Sequence, residues 1–588
     1  MTEPIQPQMD LLQQAVAFHQ SGDVAKAQAL YQSILNSQPQ HSDALHLLGV
    51  THIQAQRYEQ AIALIDQAIA VRPDLVAAHF NRALALKGLN QLEAAEAGFA
   101  KTLELQADYT QALQPRGMVL QALGRAQEAL KCFEALAKNT PKDASTQANL
   151  GVVLFQLKRW SEAQAAFEQA LLLQPNHASH HFNLATALQE QGRLEEALRH
   201  YDQAIALQDD YVDAHHNRGN VLKDLRRYEE ALHSLERAMA LRPGDAQAYS
   251  NQGNVFKAML RLEDALRAYD EALRLRPDDA DAMLNKSIAL LLSGQFESGW
   301  QAYESRWETQ SSSQHVRRFD VPAWRGETDL QGKTILLYTE QGLGDTLQFC
   351  RYAQVLCEMG ARVVMEVPGS LNGVLRSLAG VSQWVIKGEA LPNFDLHCPL
   401  LSLPLALQTS LETIPGRVAY LKASSDKVQA WSAKLGAPKR LRVGIAWRGS
   451  ATHNNDRNRS MALEEFIQPL PRHVDYFSLQ KEVRPDDAAV LSAASNIQHF
   501  GSSLHDFTDT AALCELMDLV ISVDTSVAHL SGALGKPTWV LLPYSPDWRW
   551  LMHRSDTPWY ASMRLFRQSA DLQWAPVLET VAQELHHL

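Results

Sequence analysis

The stretch "ISVDTSVAHLSGALGKPTWVLL", residues 521–542, lies across two apolar runs, Leu519–Val523 and Thr538–Leu542, with a short helical pattern between them. Short apolar runs bounded by polar corners read as buried strands. Strand, polar corner, helix and strand make a βαβ unit. The first strand ends in Asp524-Thr525-Ser526, with His529 one helical turn further on. Open α/β sheets hold their ligands beyond the carboxyl ends of their strands, so these four residues are candidates for a site.

The pattern extends on both sides. "TILLYT" (334–339) reads as a strand, "EQGLGD" as a tight glycine corner, "TLQFCRYAQVLCEMG" as a helix and "RVVMEV" (362–367) as the next strand. A second series opens at "LRVGIAW" (441–447), after a charged, alanine-rich segment near 424–440. It continues through "VDYFSLQ", "LVISVD", "TWVLLP" and "MRLFRQ". Two such series predict two Rossmann-like domains facing one another across a cleft, over 333–430 and 431–588.

The first half is periodic. Prolines stand at 39, 73, 141, 175, 243 and 277, spaced by 34 or 68. Steps of 34 from Ala27 reach Ala61, Ala95, Ala129, Ala163, Ala197, Ala231 and Ala265, then Gly299. Four residues beyond each is a larger apolar residue, such as Tyr31, Phe133 or Tyr269. Small residues also recur at Gly49, Ala83, Gly117, Gly151, Ala185, Gly219 and Gly253. This resembles the tetratricopeptide repeat, with about nine units over residues 8–308. Each unit is a helical hairpin that buries its apolar face only by stacking on its neighbours. The last unit drifts, with Gly299, Trp300, Arg306 and Trp307, and reads as a cap that docks on the next domain through aromatic contact. A polar linker is expected over 309–332.

Asparagine recurs at the sixth position of the unit: Asn81, Asn149, Asn183, Asn217, Asn251 and Asn285, broken by Pro115. A primary amide donates and accepts, so such a column could grip the backbone of an extended peptide. Equally, these amides could bond between neighbouring repeats. The ladder resembles that of the protein O-GlcNAc transferases, which join such repeats to a glycosyltransferase.

With 588 residues the chain exceeds one ordinary core, and 46% hydrophobic and 20% charged residues suit a soluble globular protein. The formal net charge of −12 argues against general nucleic-acid binding. Five scattered cysteines form no CxxC and no zinc-like spacing, which points to a reducing compartment and no structural metal. A basic-then-apolar leader and any apolar run of 18 residues are both missing. The expected location is cytoplasmic.

"GLGDTLQFCRYA" and "VDTSVAHLSGALGKPTWVLLP" together resemble the heptosyltransferase-like glycosyltransferases, over about residues 333–588. The resemblance implies the GT-B fold, a metal-independent mechanism and a nucleotide-sugar donor, with no other cofactor. It also implies that Asp345, the acid of the glycine corner, is the general base for the acceptor hydroxyl, a role suited to a carboxylate at a cleft edge. The bland alternative is that Asp345 caps a helix beginning at Thr346. Gly342 and Gly344 would hold the corner's backbone and let the acceptor approach. A dinucleotide fingerprint, GxGxxG with Glu366 as its ribose acid, fails at Leu347.

The same resemblance assigns Asp524, Thr525, Ser526 and His529 to the diphosphate and sugar of the donor. Free N–H groups and the helix dipole attract phosphate at such a helix start. The family pattern is Asp-Thr-Gly; this chain has Ser526 in place of the glycine. The structural alternative is that Asp524 caps and His529 packs. In the loop "AWRGSATHNNDRNRSM" (446–461), Arg448 and Arg459 are candidates to offset a leaving diphosphate, against the alternative of a solvated basic loop. "SPDWRWLMHR" (545–554) places Asp547, Trp548, Arg549 and Trp550 just after a strand, where they could stack on a base or hold a sugar, against the alternative that the tryptophans pack on the repeats. No DxD pair at a strand end and no ligand-spaced histidine cluster marks a metal site.

The resulting expectation is an α-solenoid of tetratricopeptide repeats followed by a GT-B glycosyltransferase. It would move a sugar from a nucleotide-sugar to an acceptor, a polypeptide presented by the repeat groove. Two rivals stand beside it. One is a non-catalytic repeat scaffold with a degenerate transferase domain. The other is a transferase acting on a glycan or lipid-linked acceptor.

Overall fold

The period of 34 is realised as helical hairpins. A computed structural model describes residues 6–309, 316–416, 418–450 and 455–588. It divides into two compact units, residues 1–243 and 244–588. The first holds seven hairpins, from Gln6–Gln20 with Val24–Ser37 to Val212–Asp224 with Tyr228–Leu241. In each, the column alanine and the larger residue four positions on are buried, as with Ala129 and Phe133 or Ala197 and Tyr201. The small-residue column has a steric reason: a Cβ built on Gly151 would lie 2.4 Å from the Phe167 ring, and one on Gly117 2.7 Å from Phe133. The prolines stand two residues past the second helix of a hairpin, as Pro141 does after Ala126–Asn139, and stop it there.

Two features of the repeats escaped the sequence reading. The turn between the two helices carries a left-handed residue in every hairpin: Gly22, Gln56, Asn90, Gly124, Lys158, Gly192, Arg226, Leu260 and Gly294. Glycine fills only four of these nine places, so the column is invisible as composition. Pro115, which breaks the asparagine column, sits in the first turn of Leu113–Ala122, after a 3-10 turn at Thr110–Ala112. The first turn of a helix has no intrahelical use for the N–H that proline lacks.

The second unit starts inside the repeat array. Its first part is two hairpins, Ala246–Ala258 with Leu262–Leu275 and Ala280–Leu292 with Phe296–Tyr303, followed by a 3-10 turn Glu304–Trp307. They belong with the α/β region because they bury against it. Trp300 is 2% exposed and donates its indole N–H to the Thr409 carbonyl at 2.9 Å. Its ring meets Trp548 edge-on at 5.2 Å. The expected cap does dock through aromatic side chains, and Trp548 packs on the repeats.

Nor is 309–332 a free linker. Residues 310–315 lie outside the described residues, but 316–332 run along the first sheet. Trp324 is buried, its backbone N–H donating to the His397 carbonyl at 2.8 Å, and Phe319 packs on Phe394 and His397. The first sheet has four parallel strands: β1 (Thr334–Tyr338), β2 (Arg362–Val367), β3 (Val381–Ile386) and β4 (Leu396–Pro399), in the order β3-β2-β1-β4. The second has six: β5 (Arg442–Ala446), β6 (Asp475–Ser478), β7 (Ile497–His499), β8 (Leu519–Val523), β9 (Thr538–Leu542) and β10 (Met563–Arg567). Their order is β10-β9-β8-β5-β6-β7, again all parallel. Every residue of β5, β8 and β9 is buried, because helices or loops cover both faces of a parallel sheet.

The expected boundary at 430/431 falls within a helix. That helix, Ser425–Leu435, packs on the second-sheet helix Phe507–Glu515, with Lys427 and Trp431 both donating to Asp509. No described helix is long and apolar enough to cross a membrane.

Candidate functional site

The glycine corner after β1 and the polar corner after β8 meet. The helices that leave them, Leu343–Phe349 and Ser526–Ala533, pack against one another. What permits this is Gly344: a Cβ there would stand 2.8 Å from Cδ2 of His529. Gly342 has an ordinary φ of −68°, and neither glycine needs a left-handed conformation. Gly344 is thus the point of closest approach to His529.

Asp345 does cap a helix, but one that begins at Leu343 and not at Thr346. Gly342 is that helix's N-cap, and Asp345 lies in the first turn. Its Oδ2 accepts the Gly342 N–H at 2.8 Å, which closes the corner. Its Oδ1 accepts from the Arg549 guanidinium. Arg549 is buried and also donates to Asp547 at 2.7 Å and to Gln348 Oε1 at 2.7 Å. Burial opposes its charge, but the Asp547 and Asp345 carboxylates outweigh that and hold it cationic.

On the other side of the contact, Asp524 sits at the end of β8 and Thr525 is the N-cap of its helix. The Thr525 hydroxyl is turned inward to Ser522 Oγ at 3.1 Å, so no described side chain caps the first turn. Burial, and then the Asp547 carboxylate, push Asp524 up to about 6, against the pull of Trp550, Arg459 and Arg549. His529 is buried, with Nδ1 2.9 Å from the Tyr560 hydroxyl, its ring stacked on Trp550 at 5.4 Å and Nε2 3.8 Å from Asp524. Burial, then Arg549, Arg351 and Arg459, hold it well below the usual histidine range, so it is a neutral imidazole.

The two loop arginines part company. Arg459 donates to the Asp524 carbonyl at 2.8 Å and lies against Gly449. Arg448 is paired with Asp486 and Asp487, at 2.7 and 2.6 Å. Residues 451–454 of that loop are outside the described residues. Glu366, weighed as a ribose acid, is buried and paired with Arg317.

Sequence reasoning passed over Tyr560 and Arg351 as site residues, and named Arg549 only as part of "SPDWRWLMHR", without its carboxylate partner. Arg351 is buried, without a carboxylate partner among the described residues. It donates to the carbonyls of Gln348, Trp559 and Pro415 and to the Tyr420 hydroxyl. Nothing in "SPDWRW" separates Arg549 from a surface arginine until the fold sets it beside Asp345. Among the described residues no group of three or more His, Cys, Asp or Glu is disposed to hold a metal ion.

The asparagine column lies on the first helix of each hairpin, and its members differ. Asn81 bonds His46 Nε2 of the preceding repeat at 2.8 Å, Asn217 meets Tyr201 of the preceding repeat, and Asn285 accepts from Lys257 at 3.1 Å. Asn251 accepts from Gln247 at 3.3 Å in its own helix. Asn149 and Asn183 are half-buried and carry no side-chain bond among the described residues.

Models of the tetratricopeptide repeat match residues 18–85, 115–163, 142–210, 210–278 and 251–314. The hairpins are tetratricopeptide repeats. This repeat array of about 300 residues is followed by an α/β region with parallel sheets. Protein FlbA of Caulobacter vibrioides is 28% identical over 326 residues, covering 50% of this chain and 53% of its own length. The chain thus spans about half the length of that curated relative. Among solved structures, MamA from Desulfovibrio magneticus RS-1 (residue 41 to its end) is 19% identical, with 29% of this chain and 96% of that one covered and a TM-score of 0.28. YrrB, described as a repeat protein with an unusual peptide-binding site, is 23% identical, with 38% and 97% covered and a TM-score of 0.24.

Proposed function

We propose that the α/β region is a metal-independent GT-B glycosyltransferase of the heptosyltransferase-like kind, and that the repeats present its polypeptide acceptor. The observation that carries this reading is the meeting of Asp345 with the Asp524–His529 corner, two motifs 179 residues apart in the chain that share one helix contact. In the proposed reaction the acceptor hydroxyl attacks the anomeric carbon of a nucleotide-sugar. Asp345 takes the hydroxyl proton as the new bond forms, and the nucleoside diphosphate leaves. The uncapped first turn at Ser526, with Arg459 and Arg549, offsets the charge of that leaving group. Neutral His529, oriented by Tyr560, offers Nε2 to a sugar or phosphate oxygen.

Asn149 and Asn183 support a peptide-gripping role for part of the column, since their amides have unspent donors and acceptors. A second reading, a binding scaffold without catalysis, is favoured by one observation: both Asp345 oxygens are engaged, by Gly342 and Arg549. Calorimetric titration with uridine, guanosine, adenosine, cytidine and thymidine diphosphates decides first. Saturable binding of one, weakened at least tenfold by Arg459→Ala, is expected. No binding across the panel would sink the transferase and leave the scaffold. Given binding, donor turnover that survives Asp345→Asn intact would remove Asp345 as base.

A further inference from the structure

The glycine corner is gripped from behind by the last repeat. Arg306, in the 3-10 turn after that hairpin, is 3% exposed. Its guanidinium donates to both oxygens of Glu340, at 3.1 to 3.3 Å, and to the Ser402 hydroxyl at 2.7 Å. Glu340 Oε1 also accepts the Leu401 N–H at 3.0 Å. One residue on, the Gln341 amide exchanges hydrogen bonds with the Tyr303 hydroxyl, at 3.1 and 3.3 Å. Glu340 and Gln341 run directly into Gly342, whose N–H Asp345 holds.

The same hairpin reaches the other partner of Asp345. Trp548 lies against both Trp300 and Tyr303, and the Arg549 guanidinium lies 4.4 Å over the Trp548 ring. Contacts therefore close a ring: Tyr303, Gln341, the corner to Asp345, Arg549, Trp548 and back to Tyr303. An ion pair as buried as Arg306–Glu340 gives up much of its attraction to desolvation, so its use lies more in fixing one geometry than in net stability. The forked guanidinium engages both carboxylate oxygens and fixes the angle as well as the distance.

We infer that Tyr303 and Arg306 are positioning residues for Asp345, and that the last tetratricopeptide repeat is thereby a structural part of the transferase site. This rests on the glycosyltransferase reading for its catalytic consequence, but the positioning itself can be read without substrate. The test uses the full chain with Tyr303→Phe, which keeps the ring on Trp548 and removes the bonds to Gln341, and with Arg306→Lys, which keeps the charge and loses the fork.

Amide hydrogen exchange over residues 340–349 is expected to rise about tenfold in both variants, while exchange over 519–533 stays as in the parent chain. Affinity for the nucleoside diphosphate identified by calorimetry should change less than threefold. Donor turnover should fall about tenfold in kcat with KM unmoved in Tyr303→Phe and in Arg306→Lys alike. Unchanged exchange over 340–349 overturns the inference, as does a rise spread equally over both segments. If no nucleotide binds at all, the transferase reading fails, and the exchange result alone still decides the positioning.

Discussion

At the scale of single residues, the site depends on atoms that are missing as much as on those present. Gly344 is a glycine because His529 occupies the space of its side chain. Gly344→Ala should cost ~1–3 kcal/mol by overpacking and weaken nucleotide binding about tenfold by parting the two helices; denaturant unfolding and calorimetry check the two effects. Asp524 makes a pH prediction. Its folded value of about 6 lies above the ordinary 3.8. The folded state therefore holds the proton more tightly, and this carboxyl's contribution to stability is lost as pH rises from about 4 through 6. Asp524→Asn, which keeps the shape without the charge, should be more stable than the parent by ~2–3 kcal/mol near pH 8 and gain nothing near pH 4. Melting curves at the two pH values test the sign. A variant equally or less stable near pH 8 would contradict it.

At the scale of elements, each repeat is a steric lock between a small residue on one helix and a large one on the next. The Gly151 and Phe167 pair is the tightest, so Gly151→Ala should destabilise the first unit by ~1–3 kcal/mol, and Phe167→Leu in the same chain should recover part of it. Urea unfolding of both variants measures that coupling. The lock was legible in the sequence because residue size recurs at a fixed step. The left-handed turn residues were not, because Gln56, Asn90, Lys158, Arg226 and Leu260 share no chemistry. The chain enforces that conformation by closing the hairpin around it. The stretch 343–358 shows the same limit. Its apolar pattern predicts one helix, but it folds as two, Leu343–Phe349 and Tyr352–Glu358, with Arg351 turned inward at the break and an Ala353 N–H to Cys350 carbonyl bond there.

At the scale of the whole molecule, the functional division of the chain and its structural division do not coincide. Composition changes near residue 309, but the last two hairpins are buried in the second unit through Trp300, Phe296 and Tyr303. A chain beginning at Gly244 should therefore fold with a cooperative thermal transition. One beginning at residue 316 should aggregate, because Trp548 and Trp559 lose the aromatic cover that Phe296, Trp300 and Tyr303 supply. Size-exclusion chromatography and near-ultraviolet circular dichroism distinguish the two outcomes. A soluble, cooperative fragment from 316 would show that the hairpins are an addition.

By itself the sequence determined the repeats and their step, two of the four strands of the first sheet, five of the six of the second, and the two polar corners; β3, β4 and β7 were not read from it. What it determined follows from local periodicity, or from short apolar runs that end in glycine and aspartate. It did not determine which corner residue touches which. Asp345 and Arg549 are 204 positions apart, and nothing local to either distinguishes a buried pair from two surface charges. Arg306 with Glu340, Gly344 with His529 and Arg351 with Trp559 are likewise contacts across elements. Only the tertiary structure decides such contacts, because they form where separate sheets and helices are forced together to bury their apolar faces.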